Sequence, residues 1–262
     1  MDKRDGYPCG VRDPRELGGA WSAFQRHGAA SPSPVLEGVV ARYWWATWDL
    51  TGQPGYRQLL PPTPSVQLTF PTDGEPLLRG VHRRCFTRML HGAGGVQGVA
   101  FVPGAFRRFL GAPVSSLTGR TVPAAEVFPG IPAVPPGDSA TVDAFLAGAL
   151  PPPDPAGDAA AACVRHAAAT PGLRRVDDLA GACGLGVRHL QRLFAEHVGV
   201  SPKWLLRRFR LQEVTDVLAA APGAPVDWAG LAADLGYVDQ AHLSRDFAAM
   251  FGEPPTTYAA RY

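Results

Sequence analysis

The chain has 262 residues, 46% hydrophobic and 18% charged, with a formal net charge of +2. That composition suits a soluble globular protein with room for two cores, and the small net charge argues against promiscuous binding of polyanions. No apolar run approaches the ~20 residues needed to cross a bilayer, so no membrane is expected as a partner. Met1–Gly10 is polar and lacks the apolar centre of a signal peptide. The four cysteines, Cys9, Cys85, Cys163 and Cys183, show no paired spacing, so reduced thiols in a cytoplasm are expected. Lysine occurs only at Lys3 and Lys203. This bias toward arginine, alanine and proline matches GC-rich codon usage and lowers the weight of alanine and proline runs.

In chain order, residues 1–34 are rich in glycine, proline and charge, and read as a partly ordered leader. Short β-rich runs follow at 39–45, 56–60, 66–70, 81–90 and 96–102, separated by proline or glycine clusters. Such spacing predicts a small β-barrel or sandwich. Pro103-Gly104 ends the last run, and 105–110 looks like a short helix packed by Phe106 and Phe109. The aromatic set Trp44, Trp45, Trp48, Phe70 and Phe101 has two readings: the core of that β domain, or the lining of a small-molecule pocket. His82, Cys85 and His91 fall on a strand and turn without a convergent histidine–carboxylate set, so no metal and no other cofactor is expected. Residues 142–150 have helical spacing suited to dimerisation or docking. The run Pro151-Pro152-Pro153-Asp154-Pro155 reads as a stiff spacer, and an alanine-rich helix is predicted over 159–169. The division is thus 1–150, a linker at 151–158, and 159–262.

The last part contains one unit written twice. Leu179-Ala180, Gly184, Leu190, Arg192, Phe194, Gly199 and Pro202 return in order as Leu231-Ala232, Gly236, Leu243, Arg245, Phe247, Gly252 and Pro255. The offset is 52 residues up to the first glycine and 53 after it, which is an internal repeat with one extra residue in a turn. Each copy reads as a helix-turn-helix: helices at 177–183 and 227–235 stop at a glycine, and second helices follow at 187–198 and 240–251, the latter capped by Asp239. Between the copies, 202–220 reads as one linker helix with Pro202 in its first turn.

In the first copy Leu190, Leu193, Phe194 and His197 form the inner stripe, leaving Arg188, Gln191, Arg192 and Ala195 outside. In the second, Leu243, Phe247 and Met250 face in, while Ala241, Ser244 and Arg245 face out. An arginine fork matches guanine O6 and N7, and a glutamine amide matches adenine N6 and N7. Small outer residues let the helix sink toward the base edges. These stripes therefore point to double-stranded DNA, with Arg188, Gln191, Arg192, Ala241, His242 and Arg245 as candidate base readers. Ala241 is the weakest of them, so more specificity is expected from the first unit. Residues 159–262 carry 11 Lys+Arg against 10 Asp+Glu, a low balance for a DNA-binding domain. The local cluster Lys203, Arg207, Arg208 and Arg210 offsets it as a candidate set of phosphate contacts.

The sequences Leu190-Gln191-Arg192-Leu193-Phe194, Gly199-Val200-Ser201-Pro202-Lys203, Leu235-Gly236-Tyr237 and Asp239-Gln240-Ala241-His242-Leu243-Ser244-Arg245-Asp246-Phe247, closed by Pro254-Pro255 and Tyr258, resemble the DNA-binding region of AraC/XylS-type transcription regulators. The resemblance covers roughly the last hundred residues. It implies two helix-turn-helix units whose second helices enter successive major grooves about one helical turn apart. It also implies contact with RNA polymerase. Tyr43-Trp44-Trp45, the run from Gly98 to Ala105, and Leu110-Gly111-Ala112-Pro113 more loosely resemble the sensor-like domain found ahead of that region in part of the family. That implies a cupin-like β fold for effector binding, dimerisation or both, with a homodimer as one outcome. The expected fold is α+β, a β-rich domain followed by an all-α one.

The leading expectation is a non-enzymatic, sequence-specific transcription regulator. One alternative is a cupin-type metal enzyme or DNA-repair alkyl acceptor that uses its helical half for docking. A phosphate-binding loop, a nucleophile elbow and an alkyl-acceptor cysteine motif are all missing from the sequence. A third reading is a protein-interaction module.

Overall fold

The computed structural model describes residues 20–221 and 223–260; Met1–Gly10, with Lys3 and Cys9, and most of the expected leader lie outside them. The described part of that leader is ordered: it contains β1 (Gln25–Ala30), which pairs antiparallel with β2 (Val40–Leu50). Next come β3 (Tyr56–Leu60), β4 (Gln67–Pro71), β5 (Leu77–Arg79), β6 (Phe86–Leu90) and β7 (Gly92–Phe101). The short helix α1 (Arg107–Leu110) and strand β8 (Thr121–Pro123) precede α2 (Ser139–Gly148). A six-stranded antiparallel sheet has the order β1-β2-β7-β4-β5-β8, and β3 and β6 form a separate two-stranded ribbon.

Alternation along β2 and β7 assigns the two faces of the sheet. One buries Tyr43, Leu68, Val99 and Phe101 against Phe106, Phe128, Val142 and Leu146, residues that follow the strands in sequence. Gln97 also lies on that face, fully buried; its Nε2 donates to Trp44 O and its Oε1 accepts from Gly137 N at 2.9 Å. A buried amide satisfied in this way anchors the start of α2 to the sheet. The other face carries Trp44, Ala46 and Trp48 and looks toward the ribbon.

The predicted strand over 81–90 is shortened to its second half, β6. β5 stops at Arg79, and Val81 leaves the sheet to become 1% exposed within the core of the helical half. The polar run His82-Arg83-Arg84-Cys85 then leads into β6, with Cys85 N donating to Met250 O at 2.8 Å.

The helical half comprises α3 (Pro155–Ala169), α4 (Val176–Ala182), α5 (Val187–His197), α6 (Pro202–Ala220), α7 (Trp228–Asp234), α8 (Gln240–Phe251) and α9 (Pro255–Ala259). Helix α3 starts four residues before the predicted Ala159, because the Asp154 side chain accepts from Gly157 N and Pro155 fills the first turn. The limits predicted for α6 and α8 match the observed ones. The repeat is conformational as well as sequential. Gly184 and Gly236 have φ of 67° and 72°, and Gly199 and Gly252 both have 88°, left-handed values that other residues adopt only with strain.

The two halves pack directly on each other. Arg107 Nε donates to Glu196 Oε1 at 2.5 Å, and the Thr118 hydroxyl donates to Gly199 O. Trp204 Nε1 donates to Arg83 O at 3.2 Å, Cys85 N to Met250 O at 2.8 Å, and Arg208 Nε to Pro62 O at 2.7 Å.

His197 is buried on the inner stripe of α5, with Nδ1 3.2 Å from Asp154 Oδ2. Desolvation lowers its pKa from the ordinary 6.5, outweighing the opposing pull of Asp154. The folded state therefore holds the ring neutral, while the unfolded chain takes up a proton below about pH 6.5. Stability is expected to be unaffected by this group above that pH and to fall as the pH drops below it. Urea denaturation between pH 7.5 and 5 should show a steeper loss for wild type than for His197→Gln; parallel curves would remove the assignment.

Candidate nucleic-acid interface and ligand cavity

In each helical unit the second helix buries one stripe and exposes the other. Leu190, Leu193, Phe194 and His197 are buried on α5, and Leu243, Phe247, Met250 and Phe251 on α8. Arg188, Gln191, Arg192 and Ala195 are exposed on α5, as are Ala241, His242 and Arg245 on α8, while Ser244 and Ala248 are half-buried. Asp239 caps α8, accepting from His242 N at 2.6 Å. Val238, just before that cap, is 89% exposed. It was not singled out from the sequence because a lone exposed valine has no periodic signature. It lies beside the first turn of α8.

One rod holds both units. Leu205 and Leu206 of α6 belong to the first helical core, Leu211, Val214 and Leu218 to the second, and Trp204 packs against both. At 19 residues and 1.5 Å per residue, α6 is about 28 Å long.

The cluster expected to contact phosphates divides. Lys203 is exposed. Arg207 and Arg210 are half-buried around Asp246 of α8: Arg207 Nη2 lies 2.7 Å from Oδ1, Arg210 Nη2 3.6 Å from Oδ2, and Tyr237 OH donates to Oδ2 at 2.8 Å. The Arg210 guanidinium also sits 4.0 Å from the Tyr237 ring centroid. Arg208 is corrected. It is 8% exposed, bonded to Pro62 O and Gln212 Oε1, and 5.1 Å from the Phe251 ring centroid. Desolvation lowers its pKa to about 10. It faces the β half because its helical position points opposite to Lys203, so it is no phosphate contact in this arrangement.

The second feature is a cavity of about 400 Å³ between the sheet and the ribbon. Two cross-strand pairs make its floor. Trp44 is opposite Gly98 and Trp48 opposite Gly94. A Cβ at either glycine would fall 2.1 Å from a Trp44 ring atom or 2.6 Å from a Trp48 one; only glycine lets these indoles fold over β7. Trp44 Nε1 donates to Gln67 Oε1 at 3.1 Å and Trp48 Nε1 to His91 O at 3.3 Å, fixing both rings. Trp21, stacked on Tyr56 at 3.7 Å, closes one side. The ribbon contributes Leu60, Phe86, Arg88 and Leu90, and the segment after β3 contributes Pro61 and Pro62.

Of the five aromatics considered from sequence, Trp44 and Trp48 line this cavity. Trp45 is corrected, since alternation turns it to the opposite face, over Gly28 of β1. Phe70 and Phe101, 2% and 0% exposed, belong to the core on that opposite face and do not line this cavity. Trp21 was missed because it lay in the expected leader. Arg42 and Arg79, also in the wall, were missed because neither stands in a motif.

The candidate metal residues are dispersed. His82 Nδ1 is 2.8 Å from Gly80 O, Cys85 Sγ lies against Gly252, and the His91 ring covers Gly55. Among the described residues no group of three or more His, Cys, Asp or Glu gathers, and no helix is long and apolar enough to cross a membrane.

The chain is thus a β-rich module followed by two helix-turn-helix units on one shared helix. Residues 179–261 match the family model of a helix-turn-helix domain (HTH_18), and residues 29–123 match a domain of unknown function (DUF6597). Residues 179–261 are thus a helix-turn-helix domain of the AraC type. No curated protein matches it. Among solved structures, ToxT from Vibrio cholerae O395 aligns over 91% of this chain and 98% of its own at 10% identity, with a TM-score of 0.42. ToxT from strain SCE256 with bound unsaturated fatty acid aligns over 78% and 86% at 11% identity and 0.38. The regulator CdpR from Pseudomonas aeruginosa aligns over 64% and 46% at 15% identity and 0.31.

Asp246 is the only carboxylate in contact with Arg207, Arg210 and Tyr237 among the described residues. Asp246→Ala should therefore cost about 2–3 kcal/mol, since it strands partly buried donors. Chemical denaturation measures it, and a loss below ~0.5 kcal/mol would mean that the cluster is as weak as an ordinary surface pair.

Proposed function

We propose that the chain is a sequence-specific transcription regulator that reads two successive major grooves and is controlled by a small molecule in its β-rich half. The carrying observation is the equivalent exposure of Arg192 on α5 and Arg245 on α8, with both helices fixed to one rod. The rod's ~28 Å length is comparable to the ~34 Å between successive major grooves on one side of B-DNA. Arg192, Gln191 and Arg245 read base edges in this proposal, with Arg188 and His242 beside them and Ala241 leaving room for close approach. Val238 suits a thymine methyl. Lys203 supplies a phosphate contact, and Arg207 and Arg210 add field strength while also serving Asp246. RNA polymerase and a second copy of the chain are the further partners this role calls for.

Control from the β half has a physical route in the contacts already described. The cavity wall includes Pro62 and the Gly80–His82 segment. Pro62 O accepts from Arg208 in the middle of α6, and Val81 is packed in the first helical core. An occupant that shifts this wall therefore acts on the element that fixes both recognition helices. Ligand control requires such a differential contact.

Genomic fragments selected by the purified protein should share a recurring pair of half-sites about one helical turn apart. Arg192→Ala should weaken the selected site by about 1–3 kcal/mol and relax preference at one base pair, leaving random-sequence binding nearly unchanged. Electrophoretic or anisotropy titration against both DNAs is the measurement. Equal weakening on both would make Arg192 a phosphate contact, and no enrichment of any sequence would remove the proposal.

A further inference from the structure

The cavity in the β half has a chemical character that narrows its occupant. Its floor and sides are aromatic and aliphatic: Trp21, Trp44, Trp48, Phe86, Leu60 and Leu90. Its charged wall residues are all of one sign. Among the described residues Arg42, Arg79 and Arg88 line it, and no Asp or Glu does.

Among the described residues Arg88 has one carboxylate partner, Asp73 at 3.4 Å, whose side chain is 73% exposed and therefore well screened. Arg79 has no carboxylate within ion-pair distance among the described residues; its guanidinium sits 5.6 Å from the Phe86 ring centroid. Burial and the neighbouring Arg88 charge both lower the Arg79 pKa. Two like charges facing a half-enclosed apolar space destabilise each other, and an anion placed between them relieves that. A guanidinium fork holds a carboxylate with two parallel hydrogen bonds. Tryptophan and phenylalanine walls favour a flat ring system over a flexible chain.

We propose that this cavity binds a small aromatic carboxylic acid, its carboxylate held by Arg79 with Arg88 or Arg42 and its ring system on Trp44 and Trp48. This deepens the reading that the cavity is the regulatory site and rests on it. At about 400 Å³ the space lies at the small end of ligand pockets, enough for one or two fused rings with a short acidic arm.

Calorimetric titration of the full chain, without DNA, tests this with indole-3-acetate, indole-3-acetamide and octanoate as probes. The acid should bind at least about tenfold more tightly than its amide, the factor that ~1.4 kcal/mol represents. Arg79→Gln should abolish that preference, and Trp44→Leu should weaken acid and amide together. Equal binding of acid and amide by wild type would overturn the charged half of the proposal, octanoate binding as tightly as the aromatic acid would overturn the aromatic half, and no binding of the aromatic acid would overturn both. The acid–amide comparison uses wild-type protein, so it stands even where a variant misfolds. DNA titration without ligand separates this test from the regulatory reading: selective DNA binding alongside failed ligand binding sinks only the ligand class. Selective acid binding that leaves DNA affinity unaltered supports the ligand class and sinks the control route.

Discussion

Helix α6 is the constraint on which the helical half depends. Neither helix-turn-helix unit closes a core alone: the first takes Leu205 and Leu206 from α6, and the second takes Leu211, Val214 and Leu218. Trp204 is shared by both. Two cores built on one continuous rod cannot rotate independently without unwinding it or exposing leucines, and a buried leucine side chain is worth roughly 1.5–3 kcal/mol. The spacing of α5 and α8 is therefore a property of hydrophobic packing. The Asp246 cluster adds a polar lock between α6 and α8, and Arg174 pairs with Glu213 at 2.9 Å, tying the entry to α4 back onto the same rod.

Several arginines of the helical half are held by partners within the chain. Arg207 and Arg210 serve an internal carboxylate, Arg208 a carbonyl of the other half, and Arg174 a glutamate. Among the described residues, four of the six exposed Lys and Arg side chains that remain are Arg188 and Arg192 on α5, Arg245 on α8 and Lys203; Arg165 and Arg175 are the other two. A weak overall field with a few well-placed forks favours discrimination over affinity, because phosphate contacts carry most of the sequence-independent attraction.

The helical half was largely legible in the sequence. Its repeat places glycines where left-handed backbone is needed, its proline and Asp239 mark helix starts, and its apolar residues recur at helical spacing. The buried position of Arg208 was not legible: from α6 alone it is one of three neighbouring arginines, and only the packed β half distinguishes it. The β half was harder still. Trp44 and Trp48 are four residues apart, as are Gly94 and Gly98, and that matched spacing was a usable signal for antiparallel pairing of tryptophan over glycine. Trp45 and Phe101 required the strand register, since a period of two assigns opposite roles to neighbouring residues. Strands β1 and β8 and the three-residue β5 carry too few alternating positions to stand out. Val81 left the strand expected for it because its burial partner lies some hundred residues later in the chain.

That displacement of Val81 has an evolutionary consequence. Tandem modules are commonly pictured as beads that recombination can exchange, yet here a valine from the first bead completes the hydrophobic interior of the second. A chimera joined anywhere in the proline-rich segment would inherit a hole at that place unless the incoming partner carried an equivalent protruding turn. Exchanging either half of this chain would therefore have to carry the turn around Val81 with it.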